Sequence, residues 1–505
     1  MSHKSDEHRA EQMSRTTGNP LLRRGGGKPW FIKRLQAISS PYLRPAALMT
    51  ICLLSAFAFP VTSLGQSTVF WRDAAPSGNW AQPDSGGNPW FRSSDGWDIR
   101  RADLADGQWS AGGTKAFVIV RINNSHQPTM SVNNEGGAKY HIHEIRFENS
   151  TSRTINQSSA YIAMGGGSGN AKIESVSGSG TGTYTFNVPL GLEKQTELNP
   201  VGGPLVFNAN ITNAGHRILV YGGQTLTLGG VVSGTGGLSV LGGGTVLLTG
   251  DHTFSGITTN QSGTLSVGNG GTSGALGASV VNSSTLRFNR SNAYSYTNVI
   301  SGSGTLVKQG AGTLTLTGAN TYTGGTDIEV GNITVSGSGT MGNGSDVRIS
   351  SGASATFNVN TSVGSLQERA ALNSGTASIG SGAVLTITGA NKGTHFMNTI
   401  SGDGGLTMSG SGTTLMRLFG ANTYSGNTVI NSASLGMWSS GSIANSPRIF
   451  IGTNATFDVS GRSSAYTLAS GQGITVIAAA DTNPATILTA GSAGSLSPAA
   501  GGCIL

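Results

Sequence analysis

Two acidic residues are spaced so that they could act together in catalysis. Asp327 and Glu329 stand two positions apart in a segment that alternates apolar and polar residues, so on a strand both carboxylates would point outward, about 7 Å apart. Glycoside hydrolases use carboxyl pairs at roughly 5–10 Å. We interpret this pair instead as part of a solvated outer face, because two similar segments have no acid at these positions. They carry Thr259, Gln261, Val429 and Asn431.

The rest of the sequence gives little support for an enzyme. From residue 201 onward the chain contains eight Asp and Glu residues, among which Asp327 and Glu329 are the one locally spaced pair. No Ser/His/Asp set stands out, and glycine runs in a glycine-rich chain are weak evidence for a phosphate-binding loop. We expect neither catalytic residues nor a cofactor.

A second candidate, the stretch KYHIHEIRFEN, contains two histidines. On a single strand His141, His143, Ile145 and Phe147 would share one face, and two imidazoles at this spacing would need a third ligand to hold a metal ion. No third ligand can be named, and the chain has no Asp-x-Asp-x-Asp-Gly calcium loop. We interpret the stretch as a structural strand and expect no metal site.

Tryptophan is concentrated in the N-terminal section, residues 66–200. Aromatic side chains among polar neighbours form platforms on which sugar rings stack, which would make an envelope or extracellular polysaccharide the partner. A repetitive solenoid also needs its first turn covered, a task that suits large aromatic residues. We favour the cap and keep the platform as the alternative. The five residues concerned are Trp71, Trp80, Trp90, Trp97 and Trp109.

The positive charge of the chain lies at its N-terminal end. The formal net charge is +7, but residues 1–65 hold nine Lys and Arg against three acids, which leaves 21 bases and 20 acids for the remainder. The body of the protein therefore has no basic excess of the kind that nucleic acid binding requires. Nucleic acid is excluded as an expected partner.

The basic segment precedes an apolar run, AALMTICLLSAFAFPV, at Ala46–Val61. This run is shorter than the roughly 20 residues of a membrane-spanning helix and fits the core of a signal peptide. Because Ser63 and Gly65 are small, we expect cleavage between Gly65 and Gln66, with a retained N-terminal anchor as the alternative. Cleavage would leave Cys503 as the one cysteine, so no disulfide framework is expected.

The stretch GAGTLTLTGANTYTGGT belongs to a segment that occurs three times, at 233–267, 301–335 and 401–437. Its local period is two, because Leu314 and Leu316 point to one side of a strand while the threonines between them point to the other. Glycines supply the corners between strands, and no helical periodicity is sustained after residue 66. Repeated strands with one apolar side predict a β-helix, in which equivalent strands stack about 4.8 Å apart.

The pattern SGxGxLxKxGAGTLTLTGANTYTGGT resembles the autotransporter-associated β-strand repeat of bacterial passenger domains, over roughly residues 225–470. The copy at 301–335 follows that pattern closely. The first copy departs from it at His252 and Asn260, and the third at Arg417 and Phe419. The resemblance implies an all-β, right-handed parallel β-helix that is exported to the cell surface or beyond.

These observations divide the chain into four segments. They are a leader (1–65), a tryptophan-rich β region expected to cap the solenoid (66–200), the β-helix (201–470) and a C-terminal end (471–505). In autotransporters a transmembrane β-barrel follows the passenger, and the last segment lacks the alternating pattern of barrel strands. The alternatives are a secreted protein without a barrel and a truncated fragment of a larger autotransporter.

The expected function is that of a non-catalytic exported scaffold or passenger with an adhesin-like role. The alternative is a carbohydrate-binding or polysaccharide-degrading β-helix. The end of a β-helix exposes unpaired backbone groups that template association, and residues 477–505 contain one charged side chain, Asp481. We therefore also expect self-association through the solenoid ends.

Overall fold

The computed structural model describes seven strands within residues 67–132, residues 140–489 with short gaps, and two strands at 496–497 and 503–504. The gaps are 149–150, 158–160, 166–168, 177–181, 343, 370–374, 390–392, 411–413 and 478–483. The described residues contain strands and no α-helix, so among them there is also no helix that could span a membrane. The predicted all-β class is confirmed.

The fold is a parallel β-helix, as predicted. The chain coils so that successive turns add strands to three faces, which we call X, Y and Z, and neighbouring strands of a face run parallel. Face X continues through residues 321–323 and 340–342, which stack on the turn before them without forming strands. Its strands are β1 (Ser67–Phe70), β6 (Val118–Ile122), β9 (Glu144–Phe147), β12 (Ala171–Ser175), β15 (Thr196–Pro200), β18 (Ile218–Val220), β21 (Leu238–Val240), β23 (Thr258–Asn260), β25 (Val280–Asn282), β28 (Ile300–Ser301), β35 (Thr361–Val363), β38 (Val384–Ile387), β41 (Gly405–Ser409), β43 (Thr428–Asn431), β45 (Arg448–Ile451), β48 (Gly473–Val476) and β51 (Cys503–Ile504).

Face Y is a thirteen-stranded sheet followed by a five-stranded one. Its strands are β2 (Gly78–Asn79), β7 (Thr129–Val132), β10 (Arg153–Gln157), β13 (Tyr184–Asn187), β16 (Leu205–Phe207), β19 (Thr225–Leu228), β22 (Thr245–Leu248), β24 (Thr264–Val267), β26 (Thr285–Asn289), β29 (Thr305–Gln309), β31 (Thr326–Ile328), β33 (Asp346–Ile349), β36 (Ser365–Glu368), β39 (Gly393–Phe396), β42 (Leu415–Leu418), β44 (Ser434–Met437), β46 (Thr456–Asp458) and β49 (Thr486–Leu488).

Face Z consists of three shorter sheets joined by irregular segments. Its strands are β8 (Tyr140–Ile142), β11 (Ile162–Met164), β14 (Leu190–Leu192), β17 (Ile211–Thr212), β20 (Val232–Ser233), β27 (Tyr294–Tyr296), β30 (Thr313–Leu316), β32 (Asn332–Val335), β34 (Ser354–Phe357), β37 (Thr376–Ile379), β40 (Ile400–Ser401), β47 (Tyr466–Thr467) and β50 (Leu496–Ser497).

The N-terminal section contributes both to the solenoid and to a small separate sheet. Strands β1 and β6 pair on face X, and β2 and β7 pair on face Y. The three remaining strands form an antiparallel sheet: β3 (Gln82–Pro83), β4 (Pro89–Arg92) and β5 (Asp98–Arg100). Face X then passes residue 200 without interruption, because β15 pairs with β18. The tryptophan-rich cap stays a prediction.

The interior of the solenoid is formed by the alternation that the sequence shows. In β30 the leucines are buried and the threonines half-exposed. Leu314 stacks on Ile333 of the next turn, which stacks on Ala355 of the turn after it. Each buried side chain therefore packs against its counterparts above and below, and the burial of this continuous apolar column drives folding.

The three repeat copies do not all start on the same face. The segment that opens the first and third copies forms β21 and β41 on face X, whereas its counterpart in the second copy forms β29 on face Y. The reason is length: 68 residues separate the first two copies, whereas the three turns of face X from Leu238 to Ile300 take 62 residues, which leaves six residues over. The second copy therefore begins about a third of a turn late. Since every face turns an apolar side inward, the same sequence fits any of them.

A buried hydrogen-bond set ties each repeat to the next turn. In the second copy Asn320 Oδ1 accepts the Ile300 N–H at 2.8 Å, and the Tyr322 hydroxyl lies 2.6 Å from Thr326 Oγ1. The third copy repeats both contacts. They are Ile400 N–H to Asn422 Oδ1 at 2.8 Å and Tyr424 to Thr428 at 2.7 Å. Burial raises the pKa of both tyrosines, so their hydroxyls stay protonated and available as donors.

The first copy lacks half of this set. His252 takes the place of the asparagine and accepts the Val232 N–H through Nδ1 at 3.0 Å. Phe254 replaces the tyrosine, so Thr258 Oγ1 is buried and makes no hydrogen bond to any described part of the chain. Asn260, the second position at which the first copy departs from the repeat pattern, forms a hydrogen bond inside the solenoid. It donates to Asn282 Oδ1 at 2.8 Å.

The tyrosine hydroxyls are expected to contribute unequally to stability. Tyr322→Phe should lower the free energy of unfolding by about 1–2 kcal/mol, because it leaves Thr326 Oγ1 buried without a partner. Tyr424→Phe should cost less, since Thr428 keeps a contact of 2.9 Å with Ser446. Urea titration followed by circular dichroism measures both. Equal losses in the two variants would contradict the argument, and Phe254→Tyr should instead stabilise the chain.

Candidate binding surface

The carboxylates of the acidic pair contact basic side chains. Asp327 and Glu329 lie on the outer side of face Y, as predicted, but they are not solvated there. Arg348 Nε contacts Asp327 Oδ1 at 2.5 Å, and Arg369 pairs with Glu329 and lies 3.8 Å from Asp327 Oδ2. Gln309 Nε2 donates to Glu329 Oε2 at 2.5 Å. Asp327 is consequently buried beneath the arginines, and both carboxylates are occupied by a structural ion-pair ladder.

The two histidines do not share a strand, so the predicted single strand is wrong. The chain bends at His143, between β8 on face Z and β9 on face X. His143 itself is buried at this corner, while Ile145 and Phe147 of β9 point into the core. His141 therefore belongs to β8, whereas His143 lies at the bend where the chain changes face. Among the described residues, no group of three His, Cys, Asp or Glu side chains could hold a metal ion.

The remaining predicted site residues stay predictions. Trp90 lies in β4, but its side chain and the other four tryptophans of the expected platform or cap are outside the described residues. The expected cleavage site at Gly65 and Gln66 is also outside them.

A different group of side chains comes together on face Y in the third repeat copy. Phe419 and Trp438 immediately follow β42 and β44, and Met397 follows β39, so the three stand in successive turns at one corner. Beside them His395 is the register neighbour of Arg417. We call these five residues the Arg417 surface. His395 and Met397 are exposed, and the other three are half-buried.

The guanidinium of Arg417 is held by two neighbours. Its Nη1 lies 3.0 Å from His395 Nε2, and its Cζ lies 4.8 Å from the centre of the Trp438 ring. The His395 and Phe419 rings meet edge to face, with centroids 5.7 Å apart and an interplanar angle of 83°. Stacking on an indole and contact with an imidazole fix the direction of the guanidinium without neutralising its charge.

Some arginines of the described chain are neutralised by acids, whereas Arg417 is among those that are not. Arg146, Arg290, Arg348 and Arg369 each pair with at least one carboxylate. Within the described part of the chain, Arg417 forms no such ion pair. The nearby Glu368 is engaged elsewhere, because its Oε1 accepts the Met397 N–H at 2.8 Å. Burial raises the pKa of Glu368, against smaller effects of this hydrogen bond and of His395.

Two glycines next to Trp438 leave the space in which its indole ring packs. A Cβ atom on Gly461 would collide with the ring, and one on Gly436 would lie 2.7 Å from Trp438 Cζ3. Gly436 is also the register partner of Arg417. The sequence identified Arg417 and Phe419 as departures from the repeat. Their contacts with His395 and Trp438 could not be predicted, because these contacts depend on the number of residues in each turn.

Two other features are less suited to ligand binding. A cleft of about 500 Å³ lies between residues 337–340, 358–360 and 381–383, but Ser338, Thr340 and Asn360 use their polar atoms in hydrogen bonds to the backbone. Lys308 is buried, with Nζ donating to three carbonyls at 2.7–3.1 Å, and burial lowers its pKa to about 8. Both features serve the solenoid itself.

Comparison with known families now identifies the repeated segments. Residues 238–267, 306–335 and 406–435 match the family model described as passenger-associated-transport-repeat. The chain contains three passenger-associated transport repeats. Each match falls inside one of the three copies found in the sequence and comprises four strands, which form two stacked pairs, with the corner segments between them. The sequence-based recognition of the repeat is confirmed.

Part of the chain is similar to a known protein. The chain is 36% identical over 115 residues to a protein named adhesin BmaC autotransporter, from Brucella suis biovar 1 (strain 1330). This region is 21% of the chain and 3% of the relative, so the chain spans only a small part of that protein's length. No solved structure matches the chain.

Proposed function

We propose that the protein is an exported, non-catalytic passenger that acts as a surface scaffold with an adhesin-like role, located at the outer membrane or outside the cell. The observation that carries the proposal is the threefold passenger repeat, which here builds one continuous apolar column. The similarity to a protein named as an adhesin supports the adhesive role. An envelope or extracellular polysaccharide is the proposed contact.

The side chains of the outer faces support a scaffold rather than an enzyme. The one locally spaced acidic pair is engaged by Arg348 and Arg369. General acid and base catalysis needs a carboxyl group that can reach a substrate proton, and these two carboxylates face arginines instead. Side chains that point away from the core are free to vary without loss of the fold, which suits a protein whose outer surface makes contacts.

Surface display is testable with an internal epitope tag. Residues 269–273 form an exposed corner loop, and Arg290 anchors the loop by donating to the Thr272 and Gly274 carbonyls. A tag inserted between Gly270 and Gly271 should therefore leave the solenoid intact. We expect antibody to label the tag on intact cells, and external protease to remove it, while a cytoplasmic marker stays protected.

The adhesive role needs a separate comparison. A deletion strain should attach to polysaccharide-coated surfaces less than the parent strain, and the tagged chain should restore attachment. Labelling that requires cell lysis would overturn the surface location. Normal attachment by the deletion strain would overturn the adhesive role while leaving the location intact.

A further inference from the structure

We propose that the Arg417 surface binds a carboxylate-bearing sugar, such as a uronate unit of an acidic polysaccharide. This inference specifies which class of polysaccharide the protein would bind, and it rests on the proposed location at the cell surface. Its basis is the combination, on one side of face Y, of an arginine that pairs with no acid of the described residues and of aromatic groups within one turn of it.

The guanidinium provides the charged half of the site. A carboxylate accepts two parallel hydrogen bonds from a guanidinium, and such pairs are stronger and more directional than neutral hydrogen bonds. Arg417 is already oriented by Trp438 and His395, so binding would cost little additional side-chain entropy. Because no carboxylate of the described chain forms an ion pair with Arg417, a ligand has no internal ion pair to displace.

The aromatic residues provide the apolar half. Phe419 and Trp438 are half-buried, and Met397 retains 41% of its exposed area. Phe419 and Met397 can pack against the C–H face of a sugar, whereas the Trp438 ring, already contacted by Arg417 and Gly461, holds the guanidinium in place. A uronate ring offers a carboxylate and an apolar face in a single unit, whereas an Asp or Glu side chain of a protein partner offers only the carboxylate. The arrangement therefore favours an acidic glycan over an acidic peptide.

The site is specific to the third copy. The residues that correspond to Arg417, Phe419 and Trp438 are small or unreactive in the other copies. They are Thr315, Thr317 and Ser336 in the second copy, and Leu247, Thr249 and Gly268 in the first. Gly436 and Gly461 leave the space that the indole fills. The third copy thus departs from the repeat at three positions whose side chains lie close together, over glycines that leave room for the indole. A binding site requires side chains that are held in place by their neighbours in this way.

The test is binding of polygalacturonate to the purified full chain, with uncharged galactan as the comparison probe. Two variants remove the site by adopting residues from the second copy, Arg417→Thr and Trp438→Ser, and so keep a sequence that already folds as a solenoid strand. Arg448→Thr removes a charge of the same sign from exposed face X and is the control. Circular dichroism and melting temperature verify that each variant is folded.

We expect the wild-type chain to bind polygalacturonate and not galactan, with affinity at least about tenfold lower in Arg417→Thr, as for loss of a charged contact. Trp438→Ser should lose a similar factor, and Arg448→Thr should bind like wild type. If a variant unfolds, Arg417→Lys serves instead, since it keeps the charge but loses the planar fork and should still bind more weakly.

Three results would overturn the proposal. They are no binding by the wild-type chain, an equal loss in Arg448→Thr, and equal binding of polyglutamate, which would assign the surface to acidic peptides. These outcomes are independent of surface display. Tight binding by a protein found only inside the cell would overturn the proposed location and leave the ligand assignment standing.

Discussion

Replacing Gly310 with alanine is expected to lower the free energy of unfolding by about 3 kcal/mol, the sum of a backbone and a packing cost. Gly310 has φ +74°, a conformation that disfavours any side chain. In addition, a Cβ atom there would collide with the Arg290 carbonyl oxygen and lie 2.7 Å from its carbon. Because the obstacle is the backbone of the preceding turn, it cannot move aside without breaking the stack.

A second glycine separates the two costs. Gly352 has the same φ of +74°, but no atom of the described residues lies within 4 Å of the position its Cβ would take. Gly352→Ala should therefore show only the conformational cost, about 1 kcal/mol. Urea midpoints of the two variants, measured side by side, give the comparison. Equal destabilisation would mean that the close stacking of corners contributes nothing to the glycine requirement.

Acid is expected to weaken the first repeat copy through His252. Burial lowers the pKa of this imidazole to about 4, against smaller opposing effects of Asp251 and the Leu228 carbonyl, whereas its ordinary value is 6.5. As the pH falls below 6.5, the unfolded chain takes up a proton that the folded chain refuses until about pH 4. The stability present above pH 6.5 is thus lost progressively, by about 3 kcal/mol in total.

The second copy provides the matched replacement. His252→Asn should remove this acid sensitivity, because Asn320 and Asn422 fill the same place with an uncharged amide. The reciprocal variant, Asn320→His, should introduce it. The free energy of unfolding of each variant is measured at pH 7.5 and pH 4.5 and subtracted from that of wild type. The subtraction removes the contribution of carboxylate titration, which the two proteins share. If the free energies of unfolding of wild type and His252→Asn differ by the same amount at both pH values, the acid sensitivity does not come from His252.

The parts of the fold that repeat were predictable from the sequence. Alternation in residues such as Leu314 and Leu316 identified inward positions, and the similarity of the copies identified the solenoid. Contacts between turns were not predictable, because they depend on how many residues each turn uses. Asp327 and Arg348 are register neighbours, yet the sequence from Gln309 to Val347, which surrounds the acidic pair, contains no basic residue. Knowing the turn length would have indicated this pairing.

The Arg417 surface illustrates the same limit. Arg417 and Phe419 could be recognised as unusual within their repeat, but not as neighbours of His395, which lies in a stretch that matches no copy. The corner at His143 was missed for a related reason. Corners in the repeats are marked by glycine, whereas the change from β8 to β9 occurs at a histidine without any turn residue beside it.

The displacement of the second copy by one face has a consequence for how such a protein changes over generations. Recombination between the second and third copies would delete residues 301–400 and join Ile300 to Ser401, a junction that reproduces the sequence of a normal repeat. The shortened solenoid would still close around its apolar column, but β41 and β42 would move to faces Y and Z. Arg417 would then point in a new direction, so gene rearrangement alone could redirect the surface presented to the environment while leaving the interior unchanged.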